Sequence, residues 1–186
     1  MIIEHSEKTG IDFDGTIIDI ESIGEFSRDY QDSRHYKDIK QVILGYITRE
    51  KLHIYCATSL EEVEELRKLT PRIFQTLARP YYAFNCNFES GVLYHHIGIQ
   101  IDFEGELQNL EFERKKDAIL SLRIPNYDDP FFDNGFLCIK AWNTKDFKKA
   151  IAHNRACLLK ERDILVKRGH TEPDKVRFVP YEAGKR

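Results

Sequence analysis

Two apolar runs stand out in the first third of the chain, IKQVILGYI at 39–47 and LHIYCA at 52–57. Both are rich in β-branched and aromatic residues and are bounded by polar clusters, the pattern of strands. Ahead of them, 11–23 reads as an extended stretch broken at Gly15, with Thr16-Ile17-Ile18-Asp19-Ile20 as its second half. Segments rich in Asp, Arg and Glu separate these runs, which predicts an antiparallel meander of three leading strands. The period then changes. Leu60, Val63, Leu66 and Leu69 recur at helical spacing behind Ser59 and Glu62, a capping-box pair. Pro71 predicts a break there and a second helix, with Thr70 as its N-cap and Ile73, Phe74 and Leu77 as its apolar stripe, ending at Arg79-Pro80. YYAFNCNF at 81–88 predicts a fourth strand, 89–96 a short helix, and the alternation of Ile99, Ile101 and Phe103 a further extended stretch. PNYDDPFFDNG at 125–135 is a loop full of turn formers. A long helix over 144–168 follows, with Phe147, Ala150, Ile151, Leu158 and Leu165 as its apolar positions and Gly169 as its stop.

Strands interleaved with helices predict an α/β domain, a mixed sheet flanked by helices. The 186 residues suffice for one core, and neither a repeat nor a linker composition divides them. No apolar run approaches the roughly 18 residues of a membrane span. MIIEHSEKTG lacks the basic-then-apolar order of a signal peptide, so the expectation is a cytoplasmic protein with no membrane association. Cys56, Cys86, Cys138 and Cys157 are scattered and form no CxxC pair, which makes them small buried hydrophobes first. The formal net charge of −3 counts against a purely electrostatic nucleic-acid binder. It leaves room for an enzyme with an acidic metal site and a local basic rim. Arg114-Lys115-Lys116 and the stretch from Lys167-Arg168 to Lys185-Arg186 could form such a rim, although solvated surface is the simpler account of each. Tyr81, Tyr82, Phe131 and Trp142 could line a channel or belong to the core.

Two acidic pairs lie close together near the N-terminus. Asp12-Phe-Asp14-Gly15-Thr16 resembles the first motif of haloacid dehalogenase-like phosphatases, whose first Asp is a nucleophile. That motif needs an apolar strand running into it, and here Glu7-Lys8-Thr9-Gly10 precedes it. Asp-Gly is also an ordinary turn dipeptide. Asp19-Ile-Glu21 instead ends the Ile17-Ile18 strand, and residues two apart on a strand project from one face. Two carboxylates so placed suit a hard divalent cation.

Later residues join the second pair. Asn85-Cys-Asn-Phe88-Glu89-Ser-Gly-Val-Leu93 stands at a strand-to-helix junction, and His153-Asn154-Arg155-Ala156-Cys157 lies on the long helix. This ordered set resembles the DEDD-type 3′–5′ exonucleases of the ribonuclease H-like superfamily over roughly residues 12–168. The resemblance implies two divalent ions, Mg²⁺ or Mn²⁺, hydrolysis of a phosphodiester at a 3′ end, and nucleic acid as the partner. Asp19 would bridge both ions, Glu21 would ligate the water-bearing one, and Glu89 stands where the family carries Asp. Asn85, Phe88 and Asn154 would contact the terminal nucleotide, and His153 would serve as the water-activating base.

The third motif departs from the family. Cys157 replaces its last Asp, and a thiol is a poor ligand for Mg²⁺. Glu161, one turn on from Cys157 on the same helix face, could substitute for it. Alternatively Cys157 ligates a softer ion such as Mn²⁺ or Zn²⁺, or catalysis is lost and the fold binds nucleic acid without cutting it.

Overall fold

The computed structural model of the protein describes residues 1–10, 12–109 and 113–173. Its centre is a six-stranded mixed sheet in the order β1-β4-β3-β2-β5-β6. The strands are β1 (Ile3–Lys8), β2 (Thr16–Ile23), β3 (Lys40–Ile47), β4 (Lys51–Cys56), β5 (Tyr81–Ala83) and β6 (Gly105–Glu106). The expected run of three leading antiparallel strands is corrected by β1, which precedes them and pairs antiparallel with β4 from Ile3↔Cys56 to Lys8↔Lys51. Only Ile3 is apolar within β1, and its residues are exposed or half-buried. Pairing with β4, not hydrophobic patterning, makes it a strand. β5 and β6 then add in parallel beyond β2.

Helices α1 (Leu60–Phe74), α2 (Cys86–Ile97), α3 (Lys115–Ser121), α4 (Gly135–Asn143) and α5 (Phe147–Arg168) flank the sheet. Ser59 caps α1, its Oγ accepting from the Glu62 N–H. The predicted break at Pro71 does not occur, and α1 runs through it. Thr70 is no N-cap; its hydroxyl turns back to the Leu66 carbonyl, while Leu66, Ile73 and Phe74 hold both halves against the core. The Ile99–Phe103 stretch is not a strand, although Ile99 and Ile101 pack on the core and Phe103 is buried. α4 was unexpected. It begins where the turn-rich loop ends and buries Trp142, whose Nε1 donates to the Ala57 carbonyl at 2.6 Å. Tyr81 and Tyr82 are buried with Trp142, so these three belong to the core. No helix among the described residues is long and apolar enough to cross a membrane.

Two local features of the sheet position the site. Gly45 on β3 stands opposite Asp19 on β2. Its missing side chain lets α5 sink onto the sheet, because a Cβ there would strike Asn154 and come within 2.9 Å of Leu158 Cδ1. Next to it, Glu21 pairs with Ile43 while Ser22 pairs with Gln41, so Val42 is a bulge residue. A bulge switches the face of the residues beyond it. Thus Gly45 faces α5, whereas Gln41 accepts from Thr70 of α1.

Candidate functional site

β2 is where the sheet changes direction: its partner on one side is the antiparallel β3, on the other the parallel β5. Ligands of open α/β sheets usually bind in crevices outside the carboxyl ends of the strands. Here a cavity of about 330 Å³ opens at that place, and Asp19, Glu21, Asn85, Phe88, Glu89, Lys115, His153 and Cys157 all line it.

The strand-face expectation for Asp19 and Glu21 holds, since both look toward α5. Asn154 donates from Nδ2 to Asp19 Oδ2 at 2.7 Å, and His153 Nε2 lies 3.6 Å from Glu21 Oε1. Glu89 enters from the first turn of α2, whose N-cap is Asn85, its Oδ1 accepting from the Phe88 N–H at 3.3 Å. Three helix positions spaced by one turn, His153, Cys157 and Glu161, form the buried inner face of α5. Asn154 is fully buried behind Asp19 and holds that carboxylate, away from any substrate. Phe88 is half-buried and packs edge-on to Phe26 and Tyr36. Asp12 and Asp14 stand apart, ahead of β2 and so at its amino end, with Asp12 exposed and paired to Arg49. Asp14 lines a separate cavity with Tyr46 and Lys51, but neither Asp stands at the carboxyl end of a strand, where a phosphatase nucleophile is expected.

Three further participants lie outside the expected site residues. Lys115 points inward from α3 instead of forming a basic rim, with Nζ 3.0 Å from Asp19 Oδ1 and 2.5 Å from Glu161 Oε1. Asp129, in the turn-rich loop, accepts from His153 Nδ1 at 2.8 Å. Lys160 is fully buried and donates to Asp129 Oδ2 at 2.8 Å and to Asp133 Oδ1 at 2.7 Å. The only trace of Lys160 in the sequence is its place beside Cys157 and Glu161 on one helix. Lys115 left none beyond its charge. Of the expected terminal basic stretch, Arg168 is tied to Glu113, and residues 174–186 lie outside the described residues.

Burial governs the electrostatics. It raises Glu89 well above the ordinary carboxylate range, with Asp19 and Glu161 adding to the effect. Burial likewise raises Glu161, against the pull of Lys115. Glu21 is pushed up to about 7 by burial and by Asp19, with His153 opposing. Burial works against the charged forms of Lys115 and His153, yet both are raised: Asp19, Cys157 and Glu161 favour the ammonium, and Cys157, Glu21 and Asp129 the imidazolium. Burial raises the Cys157 thiol. The pocket therefore carries two cations among carboxyl groups that resist ionisation.

Glu21, His153 and Cys157 bring their ligand atoms within 4.8 Å of one another, so this buried group could hold a metal ion. A pair of hard ions, Mg²⁺ or Mn²⁺, does not fit the residues as placed. Both oxygens of Asp19 are engaged, Oδ1 by Lys115 and Oδ2 by Asn154, and the Lys115 ammonium lies between Asp19 and Glu161. The remaining position of that arrangement is a thiol, too soft for such ions. Compared with known proteins, the chain matches no family model, no curated sequence and no solved structure.

Proposed function

We propose that this chain is a ribonuclease H-like, metal-dependent hydrolase that takes the 3′ end of a nucleic-acid strand into the β2 cavity and cleaves its terminal phosphodiester. One observation carries the proposal: Asp19, Glu21 and Glu89, brought from β2 and α2, line one pocket at the carboxyl ends of β2 and β5, with Glu161 of α5 buried behind them and tied to Lys115. Phe26, Phe84 and Phe88 give that pocket an apolar wall. Aromatic faces stack on any base, so such a wall suits a strand end without sequence preference. A phosphate cannot approach four ionised carboxylates. Burial removes that obstacle by favouring the protonated form of Glu89, and Lys115 supplies positive charge beside Asp19 and Glu161. The single ion that Glu21, His153 and Cys157 could hold would, when bound, polarise the phosphoryl oxygen.

The test is incubation with end-labelled single strands of DNA and of RNA, with Mg²⁺, Mn²⁺ or Zn²⁺. Stepwise shortening from the 3′ end, lost in Asp19→Asn, is the expected result. A second function is favoured by Lys115, whose ammonium already neutralises Asp19 and Glu161. With that built-in cation the pocket would hold a strand end without cutting it. Strand binding by gel shift with no shortening under any ion would establish this second function and defeat the first. Neither binding nor cleavage would defeat both.

A further inference from the structure

The geometry points to a binding site for a single borderline-soft divalent ion of the zinc class, formed by Glu21, His153 and Cys157, with its fourth position open to the cavity. The ligand spacing is the first support. Zinc bonds of about 2.0–2.3 Å in a tetrahedron put ligand atoms about 3.4 Å apart for a nitrogen–oxygen edge and about 3.6 Å for a nitrogen–sulfur edge. His153 Nε2 lies 3.6 Å from Glu21 Oε1 and 3.7 Å from Cys157 Sγ. Two edges of the tetrahedron are thus in place without rearrangement. The third, between Glu21 and Cys157, is within 4.8 Å.

The second support is independent of those atoms. A metal-binding imidazole is usually oriented by a carboxylate on its other nitrogen. His153 Nδ1 is held by Asp129 at 2.8 Å, and Asp129 is itself locked by the backbone N–H groups of Phe131 and Asp133, each at 2.9 Å, and by Lys160. This chain of bonds keeps the hydrogen on Nδ1 when the ring is neutral, leaving the Nε2 lone pair to face Glu21 and Cys157. Among the described residues three protein ligands converge, and all three line the cavity, which is the pattern of an exchangeable site and not of a closed structural one. An imidazole, a thiolate and one carboxylate also select zinc or cobalt over magnesium.

Cobalt titration of the chelator-stripped chain tests this without any substrate, so the result is separable from the fate of the nuclease proposal. Wild type should bind one Co²⁺ per chain with a thiolate-to-cobalt charge-transfer band and the strong visible bands of four-coordinate cobalt. Zn²⁺ should displace it stoichiometrically, and Mg²⁺ should not. Cys157→Ser should remove the charge-transfer band, while Cys138→Ser, altering the buried core cysteine near Glu21, should keep it. Asp129→Asn should weaken cobalt binding about 10- to 100-fold and leave the band intact, the signature of a positioning residue. No thiolate band in wild type, or a band that survives Cys157→Ser, overturns the site. If Cys157→Ser fails to fold, the wild-type spectrum decides together with Glu21→Gln: at least a tenfold loss of affinity supports the site, and unchanged affinity overturns it.

Discussion

Replacing Gly45 with alanine should loosen the candidate site from outside it. The added Cβ would meet Asn154 Oδ1 well inside contact distance and lie 2.9 Å from Leu158 Cδ1. Ordinary carbon contacts are about 3.5–4.0 Å, so α5 must retreat by roughly an ångström or Asn154 must swing away. Swinging breaks its bonds to Asp19, at 2.7 Å to Oδ2 and 3.3 Å to the carbonyl. Overpacking costs about 1–3 kcal/mol, and a hydrogen bond to a charged group about 1.5–3. Alanine constrains the unfolded chain better than glycine, which returns about 0.4–1 kcal/mol. The net loss should be about 2–4 kcal/mol, or a fall in Tm of roughly 5–15 °C for a domain of this size. Urea melts of Gly45→Ala, Asn154→Ala and the double variant form the assay. With Asn154 shortened the close contact left is the flexible tip of Leu158, which can turn aside, so Gly45→Ala on that background should cost under about 1 kcal/mol. Equal cost on both backgrounds would refute the proposed contact and, with it, the claim that Gly45 sets the depth of α5.

The tie between Lys115 and the acids gives another expectation. Lys115→Met should destabilise the fold by about 3 kcal/mol in denaturant melts at neutral pH, because it strips the buried Asp19 of its ammonium; a loss under about 1 kcal/mol would mean that water screens the pair. His96 governs an acid transition away from the site. Burial lowers its pKa from 6.5 to about 4, so stability is complete above pH 6.5 and is lost as pH falls through 4, where the folded state resists a proton that the unfolded chain accepts. Between pH 7 and 4.5, wild type should lose about 2 kcal/mol more than His96→Leu, the carboxylates titrating alike in both; parallel losses would show that His96 titrates freely in the fold.

Several elements could be read from residues alone because their information is local. The runs at 39–47 and 52–57 are rich in β-branched and aromatic residues, and they became β3 and β4. Ser59 with Glu62 marked the start of α1 and Gly169 the end of α5, each through a bond within a few residues. Where a long-range contact made the element, local reading failed. β1 is polar and exists because β4 offers a free edge. Pro71 breaks helices by rule, yet burial of Leu66, Thr70 and Ile73 on one continuous face outweighs the lost hydrogen bond.

The candidate site divides along the same line. Alternation along a strand placed Asp19 and Glu21 on one face, and a four-residue spacing placed His153, Cys157 and Glu161 on one side of α5. Those relations follow from backbone geometry, which the order of residues determines directly. Which side chains face one another across elements does not. Lys115 could have stayed in water with Arg114 and Lys116, and Asp129 could have been one more turn residue. Their roles depend on where α3 and the 125–134 loop dock against α5, and that docking is decided by the packing of the whole core. A buried acid must find a cation or keep its proton, and only the assembled fold determines which cation is within reach.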